Sequence, residues 1–517
     1  MKNVKSIIVL GGGSAGWMTA STLIKQFPDK EIIVIESPNT PTVGVGESTI
    51  GGIKFWTTYL GIDDEEFFKY TDATYKLSIR FEDFYKKGDG GFHYPFGLPF
   101  TENNKFGNND WYFKKMANPD LHVSDYAECY YPQMALVKQN KLFKNEDNRL
   151  TNFNFTQDTA YHFDATKFGL WLKENYCLPR GVNHISDDIT SIETDDSGIV
   201  SLNKKYKADL FIDCTGFKSM LLGGALEEPF ESYSDMLPNN KAWATRIPYK
   251  NKEEEMNTYT NCTALGNGWV WNIPLWSRIG TGYVYSDKHV TDEEALQEFK
   301  KHLGRDDLEF KNIKMRVGIH ERVFVKNVCA IGLSAGFIEP LESNGLYTVH
   351  DFLLKLIKVL KRGDDISQFD RDTFNLSAKA RFRTFAEFVA LHYALSHRDD
   401  TPYWKEIQNK TFDTNLNIET VNFITGFKHL MTDRMIQKNY DLSEGISCIA
   451  TGLNYFPIYI EDVLSAECEP KYELNKTKEN ISGMIGHLEV QKQEWNNAIR
   501  DEKSLYQYLK ENIYNDS

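Results

Sequence analysis

The hexapeptide Gly11-Gly12-Gly13-Ser14-Ala15-Gly16 sets glycines in a G-x-G-x-x-G pattern, and an acid, Glu36, stands twenty residues past the last of them. The chemistry of that spacing is dinucleotide binding. The first glycine permits a tight turn, the second lets the backbone approach a pyrophosphate, and the third allows close helix packing, while the helix N-terminus attracts the negative charge. Glu36 would accept hydrogen bonds from a ribose hydroxyl. A second glycine loop, Val43-Gly44-Val45-Gly46-Glu47-Ser48-Thr49, follows, and Leu210 to Cys214, preceded by Ala208 and Asp209, reads as a strand stopped by Thr215-Gly216.

These residues need a strand, a turn and a helix in that order. Ser6 to Leu10 is a short apolar β-branched run, Gly11 to Gly16 break it, and Trp17 to Gln26 resume with helical spacing. Glu31 to Glu36 is a second strand that completes a β-α-β unit. Gly88 to Asp110, rich in Gly, Asn and Asp, reads as a loop carrying Phe92, Tyr94 and Phe96. Trp269 to Tyr285 alternates as antiparallel strands do, Val328 to Leu333 is another strand, and Leu346 to Lys361 is an amphipathic helix. Beyond it helical periods dominate, for instance over Glu489 to Lys510. Around Lys76 the alternation of Tyr75, Leu77, Ile79 and Phe81 with Lys76, Ser78, Arg80 and Glu82 argues by itself for a strand with one solvated face.

The chain of 517 residues is large enough for two or three domains, or for one large α/β core with an appended lobe. Its 41% hydrophobic and 26% charged residues are ordinary for a globular protein, whereas the 14% aromatic share is rich enough to line a pocket with rings. With 59 basic and 73 acidic residues the formal charge is -14, which repels phosphate backbones and anionic lipid. Nucleic acid and membrane are therefore not expected partners. Seven scattered cysteines without a C-x-x-C pair suggest a reducing compartment and no structural zinc. The N-terminal apolar run is too short for a signal segment, and a cytoplasmic protein without a bound metal is expected.

The fingerprint lies at the N-terminus without a second copy, the arrangement in which flavoproteins bind FAD, and Asp209-Leu210-Phe211-Ile212-Asp213-Cys214-Thr215-Gly216 resembles the later strand motif of FAD monooxygenases. Trp269-Val270-Trp271-Asn272-Ile273-Pro274 matches the W-x-W-x-I-P motif of flavin-dependent tryptophan halogenases. Gly332 to Tyr347, with Glu339-Pro340-Leu341-Glu342-Ser343-Asn344-Gly345-Leu346-Tyr347, resembles their segment ending in E-P-L-E-S-T-G-I-Y. Gly44 to Thr49, Tyr161 to Ala165 and Arg398 to Trp404 match in the same order, so the resemblance covers most of the chain. It implies an α/β fold: an FAD-binding Rossmann-like domain of the glutathione-reductase and aromatic-hydroxylase type, with β-sheet insertions and a mostly helical C-terminal lobe. Residues 1–350 would form the FAD domain, with insertions at about 60–160 and 225–325, and 351–517 a helical substrate-binding lobe.

The chemistry that the resemblance implies starts from FADH2 and O2, whose activated oxygen is captured by a halide ion as hypohalous acid. Lys76 matches the family's essential lysine, which either hydrogen-bonds the hypohalous acid or forms a haloamine. Glu342 matches the second essential residue, a general base for the ring proton. Asn344 and Gly345 match residues that bind halide through backbone N–H groups, Asn344 standing where threonine is usual. Val43, Gly44, Val45, Gly46, Glu47, Ser48, Leu333 and Leu346 would line the flavin beside the fingerprint. Trp269 and Trp271 would keep the aromatic substrate from the flavin, and Tyr94, Phe96 and Ser343 would face that substrate.

Two departures bear on the substrate. The Tyr-Tyr, acid and Phe cluster by which tryptophan-specific members hold the amino acid is not recognisable over Thr432 to Tyr455, which carries Arg434, Gln437, Lys438, Asn439 and Tyr440. Tyr94 precedes Pro95-Phe96-Gly97 where the family usually has His. An indole lacking the amino-acid arm, or a phenol, is the expected substrate, and a separate NAD(P)H-dependent flavin reductase the expected partner. An FAD-dependent aromatic hydroxylase and a non-catalytic flavin-binding protein stand as alternatives on the same scaffold, and homo-oligomerisation is left open.

Overall fold

The computed structural model describes residues 4–39, 46–102, 110–363, 365–411, 443–455 and 474–515. Val43, Gly44 and Val45 lie outside them, as do Arg434, Gln437, Lys438, Asn439 and Tyr440. The chain forms two compact units. The first is Met1–Thr74, Ala160–Tyr249 and Trp271–Ala386; the second is Tyr75–Thr159, Lys250–Val270 and Glu387–Ser517.

The first unit is built on β1 (Ser6–Leu10), α1 (Ser14–Gln26) and β2 (Glu31–Glu36). β1 pairs in parallel with β2 on one side and with Leu210–Asp213 on the other, placing Leu10 opposite both Ile35 and Asp213. The sheet continues outward through Val328–Ala330 and Phe324–Val325 at one edge and Asn183–Ser186 at the other. Ile7, Ile8 and Val9 are fully buried, as an unbroken apolar run is when both faces of a parallel sheet are covered. α1 starts three residues before its apolar spacing shows, because Ser14-Ala15-Gly16 form its first turn. The expected strand from Val328 stops at Ala330, and Gly332–Ser334 form a turn of 3-10 helix. Helix α2 (Gly345–Lys361) follows, with Leu346, Phe352, Leu353, Leu356, Ile357 and Leu360 buried. A short strand, β3 (Gly46–Ser48), runs antiparallel to Ala160–Asp164, with Glu47 opposite Phe163.

In the second unit Ser78–Glu82 pairs in parallel with Tyr259–Ala264 and antiparallel with Gly91–Pro95. The latter strand corrects the loop read over Gly88 to Asp110. Its flanking glycines and Asn-Asp runs conceal five residues that pair in register, Phe81 opposite Phe92 and Arg80 opposite His93. The solvated face expected around Lys76 is also overturned: Lys76 and Ser78 are fully buried. The helices Pro402–Thr411, Ser443–Gly452, Leu474–Ala498 and Leu505–Asn512 belong to this unit. The helical period over Glu489 to Lys510 is thus two helices, the second restarted by Ser504, whose hydroxyl accepts from Gln507 N–H at 3.2 Å.

The Arg398-to-Trp404 stretch is a lock within this second unit. Arg398, 2% exposed, donates to both oxygens of Asp400 at 2.9 and 2.8 Å and to the Ala264 carbonyl at 2.9 Å. Trp404 Nε1 donates to the Leu265 carbonyl at 2.7 Å. The helical segment is thereby pinned to the turn that leads into Trp269. No helix among the described residues is long and apolar enough to cross a membrane.

Candidate active site

The three fingerprint glycines have separate geometries. Gly11 has φ +118°, and a Cβ there would lie 2.3 Å from the Cys214 carbonyl oxygen. At Gly16 a Cβ would lie 1.8 Å from the Gly11 carbonyl oxygen, so any larger residue would push α1 off the turn. Around Gly13 there is nothing within 4 Å of the Cβ position, the open approach a pyrophosphate needs at a helix N-terminus. Glu36 lies against Gly12, and its Oε2 receives both His184 Nε2 at 3.0 Å and Lys173 Nζ at 3.2 Å. Asp213, fully buried, closes the next turn: its carboxylate accepts from Thr215 N–H and Oγ1 and from Leu221 and Leu222 N–H, all within 3.0 Å. These residues fit an FAD held by its pyrophosphate and ribose.

A chain of contacts joins this turn to Glu342. Gly332, at φ +75°, packs against Ala15, a Cβ there lying 2.9 Å from the alanine methyl and 3.6 Å from Val349 of α2. Leu333 and Leu346 therefore sit on the turn and helix that abut the fingerprint. Pro340–Glu342 form one turn of 3-10 helix, and Ser343 takes the left-handed conformation, φ 56°, before α2 begins. The Ser343 hydroxyl donates to Ser48 Oγ at 3.0 Å, tying the turn to β3. Glu342, Ser343 and Asn344 are 2%, 2% and 1% exposed. Glu47, next to Ser48, has its Oε2 3.9 Å from the Cβ position of Gly345. Desolvation pushes its carboxyl up to about 7.

In the second unit Lys76 Nζ lies over the Phe96 ring, 5.0 Å from its centroid. Phe96 N–H donates to the Leu77 carbonyl at 2.9 Å, and Gln133 Nε2 donates to the Phe96 carbonyl, which fixes the ring from both sides of its peptide. Tyr94 packs edge-on to Phe96 at 6.4 Å and to Phe388 at 6.1 Å. A Cβ on Gly445 would lie 2.8 Å from both Phe388 and Tyr94, so the helix that carries Gly445 closes down on these rings. Lysine and aromatic cage are thus one assembly, which the sequence alone divides between a strand face and a loop.

Trp269 and Trp271 share one face of the strand Gly268–Pro274, being two residues apart. Trp269 is fully buried. The Trp271 ring covers Gly282, where a Cβ would lie 2.2 Å from the indole. Phe388, Gly445 and the Ser48–Ser343 bond escape a reading of the sequence, because their partners lie hundreds of residues away and no local spacing marks them.

Matches with known proteins run the length of these two units. The family model for tryptophan halogenase matches residues 6–465. The chain belongs to the tryptophan halogenase family. Tryptophan 6-halogenase ThaL of Streptomyces albogriseolus is 34% identical over 428 residues, 78% of each chain. The apo structure of VirX1 superposes with a TM-score of 0.89 at 37% identity, covering all of both chains. Tar14, a tryptophan C-6 flavin-dependent halogenase (chlorinase) from taromycin biosynthesis, superposes at 0.83 with 28% identity over 98% of this chain and 99% of its own. The tryptophan halogenase family carries an FAD-binding α/β fold with a mostly helical C-terminal part, and its members are enzymes that use FADH2, O2 and halide and depend on a separate flavin reductase. As a member, this chain is an FADH2-dependent halogenase.

Proposed function

We propose that this halogenase converts halide into hypohalous acid, and that Lys76 carries it to an electron-rich aromatic, an indole without the amino-acid arm or a phenol, rather than to free tryptophan. The observation that carries the reading is the burial of Lys76 beneath Phe96, with Tyr94 and Phe388 completing a ring-lined enclosure. An uncharged aromatic ring can pack there, aromatic pairs contributing about 0.5–1.5 kcal/mol beyond their buried area.

Bound FADH2 supplies the electrons that reduce oxygen. The chain's own residues then divide the work. Gly11, Gly13, Ser14, Ala15 and Gly16 hold the pyrophosphate and Glu36 the ribose. Val43 to Ser48, Leu333 and Leu346 line the flavin. Asn344 and Gly345, at the positive end of α2, hold the halide. Lys76 holds the hypohalous acid, and the ring carbon takes its halogen. The ring's proton passes to Glu342 as general base and from there to the hydroxide left behind, which departs as water. Trp269 and Trp271 keep the aromatic from the flavin, so oxygen is spent on halide. In this reading residues 1–350 serve the flavin, residues 351–517 help to build the aromatic's pocket, and the enzyme works in the cytoplasm with an NAD(P)H-dependent flavin reductase.

Mass spectrometry of products from a panel of indole, substituted phenols and L-tryptophan, with FAD, a flavin reductase and bromide, tests the substrate assignment. Indole or a phenol should be halogenated with the highest kcat/KM. A clear preference for L-tryptophan would refute it.

A further inference from the structure

Helix α2 runs for 17 residues, and Asn344 is the residue that caps it. Asparagine at this position ordinarily turns its side-chain oxygen onto a first-turn N–H. Asp164, Thr291 and Ser504 do this at the starts of their own helices, accepting from Lys167, Glu294 and Gln507. Asn344 does not: its side chain makes no capping bond. Its carboxamide is nonetheless buried, 1% exposed, and Nδ2 has no hydrogen-bond acceptor among the described residues. A carboxamide nitrogen can only donate, and it cannot turn into an acceptor as a hydroxyl can. A buried donor without a partner is an uncommon and costly arrangement that needs a reason.

Both features of this turn ask for the same thing. The first-turn N–H groups and the dipole of a long helix favour an anion, and a neighbouring buried N–H2 requires an acceptor. We propose that Asn344 Nδ2 is a direct donor to the halide, so that the anion is held by side chain and backbone at once, whereas the threonine usual at this position leaves the backbone to act alone. This rests on the halogenase reading above. It makes Asn344 a determinant of halide affinity and not only a tolerated replacement in a backbone site. The Asn344 carboxamide forms no bond to the aromatic substrate or to the flavin in this account, so its loss falls on halide alone.

The test uses the FAD-loaded enzyme with a flavin reductase, indole as the aromatic probe and bromide as the varied substrate. N344L keeps the size and shape of the side chain and removes the donor. One hydrogen bond to a charged group corresponds to a rise of about ten- to a hundredfold in the KM for bromide, with the loss in KM and not in kcat. Chloride NMR line broadening on the same FAD-loaded proteins reads halide binding without turnover, and the excess broadening of the wild type should be lost in N344L. N344A, smaller and likewise without any side-chain donor, gives the same comparison if N344L does not fold. Wild-type KM and wild-type broadening in either folded variant overturn the assignment of Asn344. A wild-type enzyme that halogenates none of the probes and broadens no chloride signal overturns the halogenase reading itself.

Discussion

Replacing Glu47 by glutamine should change how the protein's stability depends on pH. Burial raises this carboxyl from an ordinary 4.5 to about 7. Below about pH 4.5 it is protonated in both folded and unfolded chains and costs nothing. Between about 4.5 and 7 the unfolded chain gives up the proton while the folded chain keeps it, so the unfolded state binds fewer protons and stability falls as pH rises. Above about 7 the full penalty is present. About 2.5 pH units at 1.36 kcal/mol each sets it at no more than about 3.4 kcal/mol. Urea unfolding of the flavin-free protein, followed by a probe in the first unit from pH 4.5 to 8, measures it. E47Q should match the wild type at the acidic end and exceed it by up to about 3.4 kcal/mol at the alkaline end. Parallel curves for the two proteins would refute the reasoning. The same proton bears on function: because Glu47 Oε2 faces Gly345, its ionisation should raise the halide KM above about pH 7 in the wild type and leave E47Q flat.

Lys76→Ala should lower product formation by about a hundred- to ten-thousandfold, while reoxidation of reduced FAD and release of hydrogen peroxide continue; halogenated product at the wild-type rate would remove Lys76 from the mechanism. Glu342→Gln should lower kcat by a similar factor with the KM for bromide little changed, read from initial rates across bromide concentration. Gly16→Ala, whose methyl would meet the Gly11 carbonyl, should abolish FAD binding in a flavin-fluorescence titration, and unchanged affinity would contradict the geometry of the turn. Arg398→Met should cost about 2–4 kcal/mol of stability in the second unit, since it leaves Asp400 and the Ala264 carbonyl without their donor; chemical denaturation measures it.

The nucleotide half was legible because its residues are local. Gly11, Gly13 and Gly16 lie within six positions, and the flanking strands repeat an apolar β-branched pattern that only a covered parallel sheet uses. Helix α2 was legible from its apolar spacing to within one residue. Lys76 was not. An alternating strand says which residues share a face, and it says nothing of what covers that face; here the cover is Phe96, held by a strand whose glycines and Pro95 look like loop. The break between Ala498 and Leu505 was missed because helical periodicity persists across a short turn, although Ser504 carried a capping signal. Asn344 could be placed by its neighbours Ser343 and Gly345, but the unspent donor on its side chain is a matter of orientation, which no spacing records.

The central claim is that oxygen activated at the flavin is spent on halide and delivered by Lys76 to an aromatic ring. The measurement that tests it most directly is single-turnover mass spectrometry: reduced FAD on the protein, oxygen, an indole or phenol, with and without bromide. The account predicts a brominated ring that requires both bromide and Lys76, and no oxygenated ring. An oxygenated product that forms without bromide would contradict it.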